Sequence, residues 1–195
     1  MKHAVIVAHP NPASFTLAVA SAYATAASER GHEVILRDLY RLDFDPRLRA
    51  EELPGAPGFG PAPDAAAERA AVADAEVFVF VYPLWFYAPP AILVGYLDRI
   101  FGMGFGFGPL EDGRNAPLLK GRKMLSFSST GAPSEWVKQE GALAAVRALF
   151  DDHLAAVCGL SVLDHVHFGG IIAGIRPDAV ARHLDGVREA VERLF

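Results

Sequence analysis

The sequence predicts an α/β fold in which a five-stranded parallel sheet is covered by helices on both faces. Short apolar runs alternate along the 195 residues with longer helix-prone segments, which is the pattern of a parallel sheet. The runs are rich in β-branched residues and show no polar alternation, as expected for strands buried on both faces. Hydrophobic residues make up 52% of the chain, and no linker separates two cores. We therefore expect a single domain spanning residues 1–195.

The first half of the chain contains three predicted strands and three predicted helices. In order they are strand 4–8, helix 15–30, strand 32–36, helix 64–75, strand 76–81 and helix 91–101. Gly31 stands where a glycine commonly ends a helix, and Asp64 is expected to cap the start of the second helix. Residues 37–63 are rich in proline and glycine and too long for an ordinary connection, which predicts a lid or a dimer-contact segment.

The second half supplies the remaining strands and helices. They are strand 123–127, a helix in the region 134–157, strand 160–168 and helix 177–194, with a second long loop at 102–120. Five strands match the flavodoxin-like doubly wound sheet, with strand order 2-1-3-4-5, better than the six-stranded dinucleotide-binding sheet. In such a sheet the ligand binds at the carboxyl ends of the strands, where the strand order reverses.

Composition excludes several classes of protein. A formal net charge of −5 and the lack of a basic cluster argue against nucleic-acid binding. Cys158 is the only cysteine, so the chain has no internal disulfide, and its apolar neighbours predict a buried thiol. Residues 77–97 carry no charge, but Pro83, Pro89 and Pro90 interrupt them, so we expect no membrane span. The first strand begins at once, without room for a signal peptide, which predicts a cytoplasmic protein.

An aromatic, proline-rich loop follows the third predicted strand. Residues 82–90 contain three prolines and three consecutive aromatic residues, a composition that favours neither helix nor strand. A stiff loop at this position is either an aromatic plug that closes the core or a contact surface for a flat ligand. Residue type alone does not decide between these two interpretations.

The loop after the first strand, residues 9–16, contains no glycine and therefore neither a Rossmann fingerprint nor a P-loop. His9, Asn11, Ser14 and Thr16 surround the start of a helix, and no carboxylate occurs between His9 and Ser28. Free N–H groups and a partial positive charge at a helix start suit a phosphate group. Ordinary capping by Ser14 is the alternative.

The loop after the fourth strand is small and rich in hydroxyl groups. Ser129, Thr130, Gly131 and Ala132 are suited to lie along the edge of a heterocycle and donate N–H groups to it, and Trp136 either stacks on the ligand or packs. The loops after strands one, three and four meet at the crevice of a doubly wound sheet. Together they predict a flavin site.

These residues also carry a family resemblance. The matching segments are 8–10, 14–15, 82–86, 90–93, 95–99, 104–105, 119–123 and 129–132, in the family's order. They resemble the NAD(P)H:quinone oxidoreductase (DT-diaphorase-like) branch of the flavodoxin-like superfamily. The resemblance implies a homodimeric flavoprotein that uses FAD, with FMN as the alternative. NAD(P)H reduces the flavin by hydride transfer, and a quinone or similar flat acceptor then takes its place.

The resemblance also implies roles for particular residues. Those that contact the flavin phosphates are His9, Ser14, Phe15 and Thr16; those that line the isoalloxazine are Pro83, Leu84, Trp85 and Phe86; and residues 130–132 approach its polar edge. Aromatic residues of the partner, from 102–108, form one wall. The animal enzymes have a Tyr and a His beyond the fourth-strand loop, but this chain has no Tyr there and no His until His153. We therefore assign no general acid or base.

Other functional interpretations of the polar residues have less support from the sequence than a flavin site. His165 and His167 lie two apart on a strand without an acidic or cysteine partner at a recognisable spacing, so we expect no metal site. The pair of Asp151 and Asp152 is expected on a solvated helix face, and Ser128 lacks the elbow motif of a hydrolase.

Two alternative functions fit the same predicted fold. One is a flavin-binding ancillary subunit of a potassium-efflux transporter, which would dock through residues 37–63. The other is a one-electron carrier, which is disfavoured because the first loop lacks glycine and the surface is not strongly acidic.

Overall fold

Five parallel strands form the central sheet of the computed structural model, which describes residues 1–111 and 113–195. The elements are β1 (Lys2–Val7), α1 (Phe15–Glu29), β2 (Glu33–Asp38), α2 (Pro63–Val72), β3 (Val77–Pro83), α3 (Ala91–Ile100), β4 (Phe107–Glu111), β5 (Arg114–Pro117), β6 (Lys123–Ser129), α4 (Ser134–Gln139), α5 (Ala142–Val146), α6 (His153–Cys158), β7 (Ser161–Phe168) and α7 (Pro177–Leu194). A 3-10 turn covers Ala50–Glu52, and a π-helical turn covers Arg147–Asp152.

The strand order in the sheet is β2-β1-β3-β6-β7, and every neighbouring pair is parallel. This order confirms the doubly wound sheet predicted from the sequence. The central strand β3 is buried along its whole length, and its side chains alternate between two cores. Phe78, Phe80 and Tyr82 pack under α2, α3 and α6, whereas alternate valines pack under α1 and α7. Each buried Phe contributes roughly 2–3 kcal/mol of transfer free energy.

The long connection between β2 and α2 is fixed by a buried arginine. Arg99 of α3 is 1% exposed and binds both oxygens of Glu52 and both oxygens of Asp64. Its guanidinium also donates to the carbonyl of Asp45 at 2.6 Å. Since a buried charge that loses its partners is costly, this segment is an ordered connection rather than an open loop.

Asp64 does not have the capping role that the sequence predicted. The helix α2 begins at Pro63, with Ala62 at the N-cap and no side-chain cap. Proline at the first position needs no hydrogen-bond acceptor for a backbone N–H, so the carboxylate of Asp64 is free to bind Arg99.

Two further expectations need correction. The predicted loop 102–120 contains the antiparallel hairpin of β4 and β5. The predicted helix in 134–157 is broken into α4, α5, the π-helical turn and α6, with Gly141 at a φ of 72° after the first piece. Among the described residues, no helix has the length and apolar character needed to cross a bilayer.

Candidate functional site

A cleft opens at the carboxyl ends of β1, β3 and β6. A cavity of about 140 Å³ is lined by His9, Phe15, Thr16, Pro83, Leu84, Trp85, Ser129, Thr130, Gly131 and Ile171. A second cavity, of about 200 Å³, is lined by Leu84, Phe86, Tyr87, Thr130, Gly131 and Ala132. Because the two cavities share Leu84, Thr130 and Gly131, they are parts of one groove, which we call the strand-end cleft. The three loops predicted to meet do meet here.

The first loop presents a helix start to the cleft. Ser14 caps α1, with its hydroxyl accepting from the N–H of Leu17 at 3.2 Å. Asn11 is engaged in its own turn, since its side chain accepts from the N–H of Ala13. In the described part of the chain, no hydrogen bond uses the N–H groups of Phe15 and Thr16. Asn11 and Ser14 shape the loop but do not line the cleft, whereas Phe15 and Thr16 do.

Arg41 holds this loop in place and was missed by the sequence analysis. Its guanidinium donates to the carbonyl of Pro10 at 2.9 Å and to that of His9, and it pairs with Asp38 at 3.0 Å. Arg41 lies about thirty positions from the loop that it binds, so no local pattern could have identified it. Because Asp38 balances its charge, Arg41 serves mainly to fix the backbone of this loop next to the α1 start.

His9 is neutral in this setting. Burial lowers its pKa, with a further lowering by the positive charge of Arg41. The Nδ1 atom of His9 accepts a hydrogen bond from the backbone N–H of Asn11 at 3.0 Å, so the ring proton is assigned to Nε2. The imidazole lies 5.8 Å from the ring of Trp85, centroid to centroid. The first and third loops are therefore in contact.

The aromatic loop is a tight turn with strained, exposed residues at its tip. Trp85 and Ala88 exchange two backbone hydrogen bonds of 3.0 Å, and Phe86 and Tyr87 between them have φ values of 51° and 56°. Side chains other than glycine disfavour this region by roughly 1–3 kcal/mol each. Trp85 is 44% exposed and Phe86 is fully exposed. The tip of this loop is therefore an open surface, and the plug interpretation holds only for Tyr82 and Leu84, which are buried.

The fourth loop is supported from β7, a contribution that the sequence analysis did not foresee. Thr130 donates its N–H to Phe168 and accepts from the N–H of Ile171, both at 2.9 Å. Gly169 lies against α4, and a Cβ on it would be 2.2 Å from the backbone nitrogen of Ser134. Only glycine allows this approach. Trp136, by contrast, is 60% exposed on α4 and lines neither cavity of the cleft.

A hydrogen-bonded chain of buried polar side chains ends at this loop. Asp151 lies 2.5 Å from Nδ1 of His165, and Nε2 of His165 lies 2.7 Å from the hydroxyl of Ser128. The same hydroxyl lies 2.9 Å from Nδ1 of His167, whose Nε2 is 3.1 Å from the hydroxyl of Thr130. We call these five residues the histidine network.

The histidine network overturns one expectation. Asp151 is 1% exposed rather than solvated, because the π-helical turn directs it into the core next to Ser126 at 2.6 Å. It is also an acidic partner of His165 that no recognisable spacing in the sequence indicates. The two residues are fourteen positions apart, on a helix break that no local signal announces.

Burial controls the charges around the network. Burial, the charge of His165 and Lys138 lower the pKa of His167 to about 4, so this imidazole is neutral at pH 7. Burial raises the pKa of Tyr82 well above its usual value, with Asp151 adding to the effect. Among the described residues, the Tyr82 hydroxyl has no hydrogen-bond partner, and no three His, Cys, Asp or Glu side chains converge as metal ligands.

Two larger cavities lie elsewhere. One, of about 360 Å³, lies between α3, α6 and the connection before α2; the other, of about 460 Å³, lies along α2. In the described chain, residues of the loops after β1, β3 and β6 line neither cavity. Since ligands of doubly wound sheets bind at those loops, the smaller strand-end cleft is the candidate site.

Known proteins are similar to this chain in both sequence and fold. A family model described as a flavodoxin-like fold matches residues 1–194. The chain is 35% identical over 172 residues to an uncharacterized NAD(P)H oxidoreductase of Haemophilus influenzae, covering 88% of this chain and 85% of the relative. It is 24% identical to NAD(P)H dehydrogenase (quinone) 1 of Rattus norvegicus, covering 98% of this chain and 76% of the relative.

A solved structure, the NAD(P)H:quinone oxidoreductase from Methanothermobacter marburgensis, superposes with a TM-score of 0.83 at 26% identity, covering 100% of this chain and 99% of that one. An FMN-dependent NADH-azoreductase from Bacillus anthracis shares the fold, with a TM-score of 0.70 at 22% identity, and covers 99% of this chain and 98% of the other. The chain therefore belongs to the flavodoxin-like family, in the branch that contains the NAD(P)H:quinone oxidoreductases.

Proposed function

We propose that the protein is a flavin-dependent NAD(P)H oxidoreductase that reduces quinones or similar flat acceptors by two electrons. The observation that carries the proposal is the strand-end cleft, where a helix start, an exposed aromatic turn and a hydroxyl-rich loop face one groove. The names of the relatives support the same activity. When bound, a flavin would supply the hydride and two-electron chemistry between NAD(P)H and the acceptor, and it would gain negative charge on reduction.

The donor groups of the cleft fit a flavin. The free N–H groups of Phe15 and Thr16 suit the phosphate, and Arg41 fixes the backbone of the loop beside them. In the described chain, no hydrogen bond uses the N–H groups of Gly131 and Ala132 either, so they are available to carbonyl groups at the edge of a heterocycle. Pro83, Leu84 and Trp85 would lie against the ring.

The exposed aromatic residues support a homodimer with a shared site. Phe86 is fully exposed, Trp136 is 60% exposed and Ile172 is 61% exposed. Contact surfaces commonly expose large apolar side chains such as these two aromatic residues and the isoleucine, and a second copy would cover them and close the cleft. We expect a dimer by light scattering, and a monomer that binds and reduces flavin normally would contradict the shared site. A cytoplasmic location also belongs to this proposal.

Either FAD or FMN fits the described contacts, because both carry the isoalloxazine, the ribityl chain and the first phosphate. The sequence-based prediction of FAD with FMN as the alternative remains a prediction. The test is to purify the protein, record its visible spectrum and chromatograph the cofactor released by heat. NADH and NADPH oxidation with menadione would follow. A protein that binds neither flavin would contradict the whole proposal.

A second candidate is an ancillary subunit of a potassium-efflux transporter. The observation that favours it is the apolar surface of the connection before α2, where Leu42, Leu48 and Leu53 are 42%, 42% and 49% exposed. Co-purification with a membrane transporter, lost on Leu53→Asp but kept on Trp85→Ala, would support it. An enzyme with full quinone reductase activity and no such association would exclude it.

A further inference from the structure

The histidine network joins a buried carboxylate to the loop that lines the strand-end cleft. Its members come from three elements: Asp151 from the π-helical turn, Ser128 and Thr130 from β6 and the loop after it, and His165 and His167 from β7. In each neighbouring pair, the hydrogen-bonded side-chain nitrogen and oxygen atoms lie between 2.5 and 3.1 Å apart. The path is therefore unbroken from the interior to Thr130.

The position of each proton in the outer half follows from donors and acceptors. Thr130 donates its only hydroxyl hydrogen to the carbonyl of Ala132 at 2.9 Å. Its oxygen can then only accept, so Nε2 of His167 carries a hydrogen and donates it. The neutral imidazole must accept at Nδ1, where it receives the hydrogen of Ser128.

The hydrogen positions in the inner half of the network follow from the same count of donors and acceptors. Ser128 has given its hydrogen to His167, so its oxygen accepts from Nε2 of His165. The Nδ1 atom of His165 shares a second hydrogen with Asp151, whose other oxygen accepts from Ser126. We assign this second hydrogen to His165, with the carboxylate of Asp151 as its counter-charge, and every donor between His165 and the cleft then points towards Thr130.

We propose that the histidine network moves one positive charge from His165 to His167 when negative charge develops in the cleft beside Thr130. The N–H bond at Nε2 of His165 breaks as an O–H bond forms at Ser128. The O–H bond that Ser128 already held breaks as an N–H bond forms at Nδ1 of His167. His165 ends neutral, His167 ends as an imidazolium, and no proton leaves the protein.

The surroundings explain why the charge rests on His165 until then. Asp151 attracts it there, while Lys138 of α4 disfavours a positive charge on His167. Negative charge beside Thr130 attracts the charge outwards and opposes Lys138. That negative charge is the electron pair added to the bound flavin, so the inference rests on the proposed function.

The decisive comparison is between two serines of β6. Ser126 and Ser128 are both buried, and both bind the network, but only Ser128 lies between the two imidazoles. In Ser128→Ala we expect affinity for oxidised flavin within about twofold of the parent. Affinity for reduced flavin should fall about tenfold relative to oxidised flavin, which lowers the two-electron potential by about 30 mV. Ser126→Ala should change this ratio by less than about threefold, and Ser128→Thr should restore it.

Equal shifts in Ser128→Ala and Ser126→Ala would overturn the relay while leaving the proposed function intact. A second measurement needs no variant. Nitrogen-15 NMR of the wild-type protein, with and without added flavin, reports which ring nitrogens are protonated. We expect neutral His167 with hydrogen on Nε2. A hydrogen on Nδ1 would overturn the relay, because Ser128 could not donate to that atom. Failure to bind flavin would contradict the proposed function and remove the source of the negative charge, whereas the NMR result tests the order of the protons by itself.

Discussion

Each end of the sheet carries a pair of histidines, but only the pair at the carboxyl end leads to a cleft. At the amino end, His3 of β1 packs against His32 and Phe195, and its Nδ1 lies 2.7 Å from the hydroxyl of Tyr23. Among the described residues, Nε2 of His3 and Nδ1 of His32 have no partner. At the carboxyl end, every nitrogen of His165 and His167 is bonded.

Burial therefore does not distinguish the two pairs, whereas connectivity does. Burial lowers the pKa of His3 to about 4, as it does for His167. A titratable group that is shifted but isolated has a structural role, and one joined to a site is able to respond to it. The difference between the two ends can be tested, beginning with the largest expected effect.

Gly169→Ala should cause the largest loss of stability and flavin affinity, because it disturbs the carboxyl end of the sheet. The new Cβ would lie 2.2 Å from the nitrogen of Ser134, so the backbone must shift, at a cost of about 2 kcal/mol in the free energy of unfolding. Because residues 169–171 support Thr130, flavin affinity should fall by more than tenfold, as measured by fluorescence titration. Gly186→Ala in α7, where the added Cβ meets nothing, is the control, and it should be neutral or stabilising.

Acid should destabilise both ends in the same pH window. The folded pKa values of His3 and His167 are about 4, below the unfolded value of about 6.5. Between these values the unfolded chain binds protons that the folded chain does not, so the free energy of unfolding falls as the pH drops from about 6.5 to 4. Asp45 and Asp64, with pKa values of about 2, act below this window.

Urea titrations across this range measure the effect. The loss is up to about 3 kcal/mol for the fully buried His3, and less for the partly exposed His167, where solvent screens the charge. His3→Gln and His167→Gln should each flatten the curve, but only His167→Gln should alter the flavin potential. A change in the flavin reduction potential of His3→Gln would remove the distinction between the two ends of the sheet.

Trp85→Ala should separate binding from folding. Trp85 is 44% exposed, so its removal should leave the free energy of unfolding within about 0.5 kcal/mol of the wild-type value. Flavin binding should weaken about tenfold. Tyr23→Phe at the amino end should do the reverse, with a loss of about 1 kcal/mol in stability and unchanged flavin affinity. Equal losses of binding and stability in Trp85→Ala would support the plug interpretation.

The smallest expected effect concerns the reactivity of Cys158, which lies just before β7. Its thiol is fully buried, and burial raises its pKa to about 12. Iodoacetamide at pH 8 should leave it unmodified in the folded protein and react fully in urea, as read by mass spectrometry. Rapid alkylation of the native protein would show that the amino end of the sheet opens readily.

The sequence predicted the parts of this molecule that are local. The strands and the three cleft loops follow from apolar runs and from the residues directly after them, and the strand order follows from the match to a five-stranded doubly wound sheet. The structure brings Thr16, Trp85 and Thr130 to one cleft. The parts that were missed depend on distant partners. Arg41 binds a loop far away in the chain, and Asp151 reaches His165 only because the predicted helix breaks into a π-helical turn.

The aromatic turn has a consequence for how this protein could change its preferences. Phe86 lies wholly in solvent, and its backbone conformation is held by the two hydrogen bonds between Trp85 and Ala88. Neither bond involves the side chain at position 86. Substitutions there break no backbone hydrogen bond, although glycine would relieve the strain of the φ of 51° and a β-branched residue would increase it, and they reshape the mouth of the cleft. The selectivity of this cleft can therefore change at its tip without any change in the sheet beneath it.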